Sequence, residues 1–414
     1  MMSRPSRLHD SLHREHLEEV SFFYDQRGQW LEDPTLSLRD VADLEERLEA
    51  HLDALVVAGD DAAMRCTAAI DSGDRGELHA ALRVACRRDR PEILAALVER
   101  SRVASGDDAI ELALAAKLAL GFEVRADWAP ALEPFVREPT LVEILAGAAT
   151  LSRIELGAAL AQTRGVELRA ECARLSALGE LRHAAAGDQL CVAALDPTTH
   201  RAAAIALLKL GGHDLPRAVA HSADPVVRLW LDGDDERVWA ACERSPDAAH
   251  VQALGLSGAP RSLGLLTELL AEPGVASEAA GGLAVATGAA LLEACEEVVF
   301  PRVGDDDDGD GDGDAPANSR ARMRLCRDGD AWRSWLREHA ASPPRRRMGH
   351  VPSAHSTAWA LTSVQIPMSL RELLCDELMV RWGIAAPVRP QMPARRQLDA
   401  LARTVPGFAQ EAST

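Results

Sequence analysis

The stretch HRAAAIALLKLGGHDLPRAVAHS, His200–Ser222, decides how the chain is read. An Ala/Leu-rich run closes on Leu-Gly-Gly, a short turn follows, and a second apolar run containing Pro216 begins. Ala, Leu and Arg have the highest helix propensities, so this is a helix–turn–helix unit. Asp224–Arg228 (DPVVR) then starts the next helix, the kind of turn-plus-helix start that HEAT-type repeats use.

The same phrasing recurs on both sides. RPEILAALVERS, DAIELALAAKLALG and LGLSGAPRSLGLLTELLAEPG are further short apolar helices broken by Gly, Pro and Asp. Leu/Ala-Gly phrases close at Gly121, Gly179, Gly211 and Gly255, with gaps of 58, 32 and 44 residues, a loose period from which one unit can be missing. Helix pairs of this size cannot bury their apolar faces alone, whereas stacking does it. The expected fold is therefore all-α: a HEAT-like, right-handed α-solenoid over residues 60–303. A helical cap over 1–59 precedes it.

In that cap, Val41, Leu44, Leu48, Leu52 and Leu55 recur at spacings of three and four, one apolar stripe of an amphipathic helix. Ser37 is placed to cap it, Asp40 sits in its first turn and Gly59 ends it. Phe22, Phe23, Tyr24 and Trp30 cluster just ahead.

Gly304–Ser319 (GDDDDGDGDGDAPANS) places seven aspartates within ten positions. A calcium loop read from Asp306 finds Asp308, Asp310 and Gly311 in place, but its closing position is Ala317, which cannot ligate. Like charges with interspersed Gly repel and have no apolar surface to bury, so 304–319 is expected to be a disordered acidic linker. Beyond it the charge changes sign. Residues 317–414 hold fifteen Arg against eight Asp and Glu, +7, so residues 1–316 carry −26 of the total −19. A basic C-terminal helical module is expected over 320–408. Trp332 and Trp335, three apart on its first helix, either form its own core or dock it onto the solenoid.

The net charge argues against general nucleic-acid binding and against adhesion to anionic membranes. No apolar run approaches a membrane span and no secretory leader is evident, so a soluble, cytoplasmic protein is expected. The eight cysteines are spread without a C-x-x-C pair and read as reduced, buried thiols. Lys117 and Lys209 are the only lysines among 45 basic side chains, a bias that reads as codon usage. His9, His13 and His16 share a helix face but lack a clear further ligand, and no metal or cofactor is expected. No nucleophile elbow, P-loop or dinucleotide fingerprint stands in a strand–turn–helix context.

The phrase EEVSFFYDQR (Glu18–Arg27) followed by LEERLEAHLDALVVAGDDA resembles a family of uncharacterised proteobacterial HEAT-repeat-like proteins. The likeness covers the full chain, and Arg47–Gly59 is its most specific part. It implies degenerate repeats, an acidic linker and a tryptophan-bearing helix behind it. It also implies an accessory or adaptor role beside type VI secretion, and no catalytic residues. The Arg-rich turn PPRRRMGH departs from it.

The functional expectation is a non-enzymatic scaffold that binds a basic protein partner along an acidic surface. Candidate contacts are Asp224, Asp232, Asp234, Asp235 and Glu236 near the repeat turns. Trp230 and Trp239 are candidate hot spots, the alternative being core packing. Arg345, Arg346 and Arg347 form either a solvated turn or a patch that pairs with solenoid carboxylates or an acidic partner. Two alternatives stand beside the scaffold: an immunity protein masking a basic toxin, and a HEAT-type, lyase-like enzyme with a small-molecule pocket.

Overall fold

The computed structural model describes residues 7–211, 215–233, 236–299, 318–339 and 345–408. The protein is all-α: among these residues, helices account for every element except one β-hairpin. The helices of the first half are α1 (Arg7–Trp30), α2 (Leu38–Ala58), α3 (Asp60–Ser72), α4 (Arg75–Arg87), α5 (Ile93–Val103), α6 (Gly106–Glu123), α7 (Ala129–Leu132), α8 (Val142–Ser152), α9 (Gly157–Ala161) and α10 (Leu168–Glu180). There follow α11 (Gly187–Ala193), α12 (His200–Leu210), α13 (Arg217–Ala220), α14 (Pro225–Asp232), α15 (Glu236–Arg244), α16 (Ala248–Ser257), α17 (Pro260–Leu269) and α18 (Ala276–Thr287). The hairpin strands β1 (Leu292–Val299) and β2 (Asn318–Leu325) lead to α19 (Gly329–Glu338), α20 (Ala354–Thr362), α21 (Met368–Val380) and α22 (Ala394–Thr404).

The stripe on α2 is buried throughout, and Ser37 with Asp40 forms a reciprocal capping box before it. Gly59 ends the helix with φ +67, a left-handed conformation that a side chain would resist. From α4 to α18 the even-numbered helices form a row in which each packs on the next, and α1 leans on α4. Of the odd-numbered helices, α3, α5, α9, α11, α15 and α17 each pack on the neighbouring helix of the row. One large apolar core runs from Leu17 to Phe408 and takes in the N-terminal helices, the row and the C-terminal helices. A second, small cluster of Leu31, Leu38, Val41, Ala42, Val364 and Ala394 joins α2 to the C-terminal segment.

Glycine spacing acquires a different meaning here. Of the four phrases read as helix ends, only Gly211 is one, with φ +71. Gly121, Gly179 and Gly255 lie inside α6, α10 and α16. A Cβ on them would stand 2.6 Å from Leu151, 2.4 Å from Ala206 and 2.4 Å from Gly282 respectively. They are points where row helices approach closely, and the missing side chain permits it. Leu151 on α8 is the partner overlooked between Gly121 and Gly179.

The hairpin crosses the boundary placed at residue 303. β1 pairs antiparallel with β2 in the register Leu292↔Leu325 to Val299↔Asn318, so the last described residues before the aspartate run pair with the first ones after it. The aspartates of 304–319 themselves lie outside the described residues. Arg324 reaches Glu293 across the strands at 2.8 Å. Behind the hairpin, Trp332 is buried, its indole N–H donating to Cys326 O at 2.8 Å, and α19 packs on α17.

Candidate functional site

The region of most concentrated chemistry is the seam where residues 345–408 lie on the row. Starting at the N-terminal end, Arg27 on α1 pairs with Glu45 on α2 at 2.6 Å and donates to Gln391 O and Met392 O at 2.8 and 3.0 Å. The other Glu45 oxygen accepts the Ala394 amide at 2.7 Å. Arg371, fully buried on α21, donates to Leu31 O, and burial pulls its guanidinium down to about 10. Further along, Arg347 pairs with Glu377 at 2.8 Å and donates to Leu256 O at 2.7 Å, all out of water.

At the middle of the seam stands Glu180, the last residue of α10. Lys209 on α12 binds it at 2.9 Å, and Arg153 and Arg389 also pair with it. Asp376 on α21 completes the group, 2.7 Å from both Lys209 and Arg389. Burial alone would push the Glu180 carboxyl up, but the cations Arg389, Lys209 and Arg153 hold it far below the usual carboxylate range. A buried pair of this kind adds little net stability over apolar packing, yet losing one member costs several kcal/mol.

Beside this cluster lies a cavity of about 300 Å³ between α6, α8, α10, α12 and α21. Lys117 and Lys209 both line it, with Glu372, Asp376, Arg389 and Gln391 supplied by the C-terminal segment. The two lysines differ in state. Lys209 is clamped between carboxylates, whereas Lys117 has no hydrogen bond or ion pair among the described residues. Burial lowers the Lys117 ammonium below its ordinary value, against the more distant pull of Glu372 and Glu143. Its stem lies over Gly147 of α8, where a Cβ would stand 2.3 Å from the lysine Cδ.

The residues singled out in the sequence fall elsewhere. Trp230 and Trp239 are only 7% and 9% exposed, so they are core side chains and not surface hot spots. Trp239 donates its N–H to Ser262 at 2.8 Å and carries Arg261 over its ring at 4.8 Å. Asp224 is spent as the N-cap of α14, accepting from the Val226 and Val227 amides. Asp232 is exposed and pairs with Arg228 one turn back; Glu236 is exposed at the start of α15; Asp234 and Asp235 lie outside the described residues. Arg346 and Arg347 are buried, which corrects the solvated turn, and Arg345 donates to Gly233 O. Of the arginine run, Arg345 alone reaches this turn, through the Gly233 carbonyl.

One edge of the row faces outward with a recurring pattern at its turns. Val103 at the end of α5 and Ile110 flank Asp107 and Asp108 in the first turn of α6; Val166 and Leu168 flank Glu167 at the start of α10; Val192 and Leu195 precede Asp196 ahead of α12. Val103, Val166 and Leu195 are 72–78% exposed. Arg102–Glu138 at 2.8 Å, Arg169–Glu143 at 2.8 Å and a contact from Cys172 to Thr198 O join these turns in order.

No protein-family model, curated protein or solved structure matches the chain. Among the described residues no helix is long and apolar enough to cross a membrane, and no three His, Cys, Asp or Glu side chains gather as a metal site.

The sequence contained one unused signal for the cavity. In a chain whose cations are otherwise all arginine, both lysines line the same cavity.

Proposed function

We propose that the chain is a HEAT-like α-solenoid serving as a non-enzymatic scaffold for a basic protein partner. The observation that carries this reading is the row edge just described, where exposed aliphatic side chains stand beside carboxylates at the starts of α6 and α10 and ahead of α12. An extended stacked array offers such an edge over many residues, as repeat proteins do. Arg27, Arg83, Arg174, Arg347 and Arg389 are spent inside the fold together with the carboxylates they pair with, while Asp61, Glu99, Asp107 and Glu167 face water.

The partner is one that exposes Arg or Lys between apolar anchors, with steering by opposite charge and holding by burial. An adaptor, including the secretion-associated role the resemblance implies, and an immunity protein masking a basic toxin both use this surface in the same way.

The test begins with tagged protein purified from its host at low and then at moderate salt, followed by affinity measurement on the isolated pair. The combined substitution Val103→Arg, Val166→Arg and Leu195→Arg is expected to weaken binding by about tenfold or more, equivalent to about 1.4 kcal/mol. Added salt should weaken it as well. A partner whose affinity ignores both changes overturns the reading.

A further inference from the structure

We infer that the two-lysine cavity is a binding site for a small aldehyde or ketone, with Lys117 as the amine that condenses with its carbonyl carbon. The inference does not depend on the scaffold reading, since its amine, Lys117, lies at the seam and only Glu143 with its partner Arg169 is shared with the outward edge.

Three features converge. Lys117 enters a cavity of about 300 Å³, within the range of small-ligand sites, without being tied to any carboxylate. Its stem is laid in the groove that Gly147 leaves open, so the amine is directed by packing instead of by an ion pair. Acids and hydroxyls surround the space: Glu143 and Thr150 from α8, Ser176 from α10 and Glu372 from α21. Lysine, unlike arginine, can lose its proton when desolvated and attack a carbonyl. Lys209 does not compete, because it is buried and its amine is engaged by Glu180 and Asp376 at 2.9 and 2.7 Å.

The step balances without an oxidant or reductant. The neutral Lys117 nitrogen forms a bond to the carbonyl carbon, giving a carbinolamine. The former carbonyl oxygen then leaves as water, carrying both protons of the amine, and a C=N bond remains. Glu372 is the lining carboxylate placed to relay those protons, Glu143 being paired with Arg169. The charged groups bearing on Lys117 are Glu372 and Glu143, which favour the ammonium, and Arg169, which opposes it along with burial.

The experiment uses the full chain, glyoxylate as the probe aldehyde and cyanoborohydride to trap the imine, with peptide mass mapping. Folded protein at neutral pH is expected to label Lys117 about ten times faster than Lys209. In urea the two lysines should label alike, which makes the comparison independent of any variant's ability to fold. Lys117→Arg should remove the fast folded-state adduct and leave only the slow labelling of Lys209, with the melting temperature within the error of measurement. Equal labelling of the two lysines in the folded protein, or slower labelling of Lys117 folded than unfolded, overturns the inference.

Discussion

Replacing Glu180 by Gln removes one charge and almost no volume from the middle of the seam. Three cations lose a partner: Arg153, Lys209 and Arg389. Hydrogen bonds to charged groups contribute about 1.5–3 kcal/mol each, so an additive estimate is about 4.5–9 kcal/mol. That overstates the loss, because Asp376 remains 2.7 Å from both Lys209 and Arg389, and Arg153 keeps the Glu180 and Ala386 carbonyls. Glutamine also offers one acceptor where the carboxylate offered several. The expected loss is about 3–5 kcal/mol, the range for breaking a buried ion pair from one side. Urea unfolding followed by far-UV circular dichroism measures it, and limited proteolysis should show residues 381–393 cleaved first.

Acid gives a second readout of the same substitution. The folded carboxyl lies below its unfolded value of about 4.3, so its contribution is present above that pH and is lost as pH falls toward the folded value. The wild type should lose this stability in acid, and the Gln variant should lack that part of the slope. Adding Lys209→Met to the variant should cost less than the two single losses summed, as coupled neighbours do. A single-variant loss under about 1 kcal/mol would refute the reasoning, since it would mean that water already screens the cluster.

Gly255→Val should force α16 and α18 apart at the Gly255–Gly282 contact, costing about 1–3 kcal/mol in urea unfolding. Trp239→Ala should cost about 3–5 kcal/mol of folding stability, the signature of a core side chain and not of an exposed anchor. His16 and His51 meet at 3.0 Å between ring nitrogens; burial and then the His51 charge lower the His16 pKa, against Glu15 and Glu19. Stability should therefore fall as pH drops below about 6.5, and His51→Gln should flatten that fall in pH-dependent melting.

Local patterns were legible in the residues, and distant pairings were not. The α2 stripe with its Ser37–Asp40 cap could be read directly, because helix periodicity and capping act over a few positions. Gly121, Gly179 and Gly255 were misread because a glycine near a helix end satisfies two rules at once, termination and close packing; only the neighbouring helix distinguishes them. LEACEEVV became a strand because NSRARMRL returns to pair with it, a partnership that no local window contains. The sign change beyond residue 317 did suggest contact with the row, yet not that Arg347 and Arg371 would be sealed from water. Residue type could not disclose that Trp230 and Trp239 face inward.

The seam also sets a timetable for synthesis. Arg27 and its acceptor Gln391 are 364 positions apart, and Glu45 and Ala394 are 349 apart. At about 5–20 residues per second, the side made first waits on the order of 20–70 s for its partner to leave the ribosome. Throughout that interval the nascent row presents to solvent the apolar and ionised positions that α21 and α22 will cover. Closure over such separations is slow in its own right. A chaperone that binds exposed helical surface would thus meet this chain at a defined stage, after α18 has emerged and before α22 has.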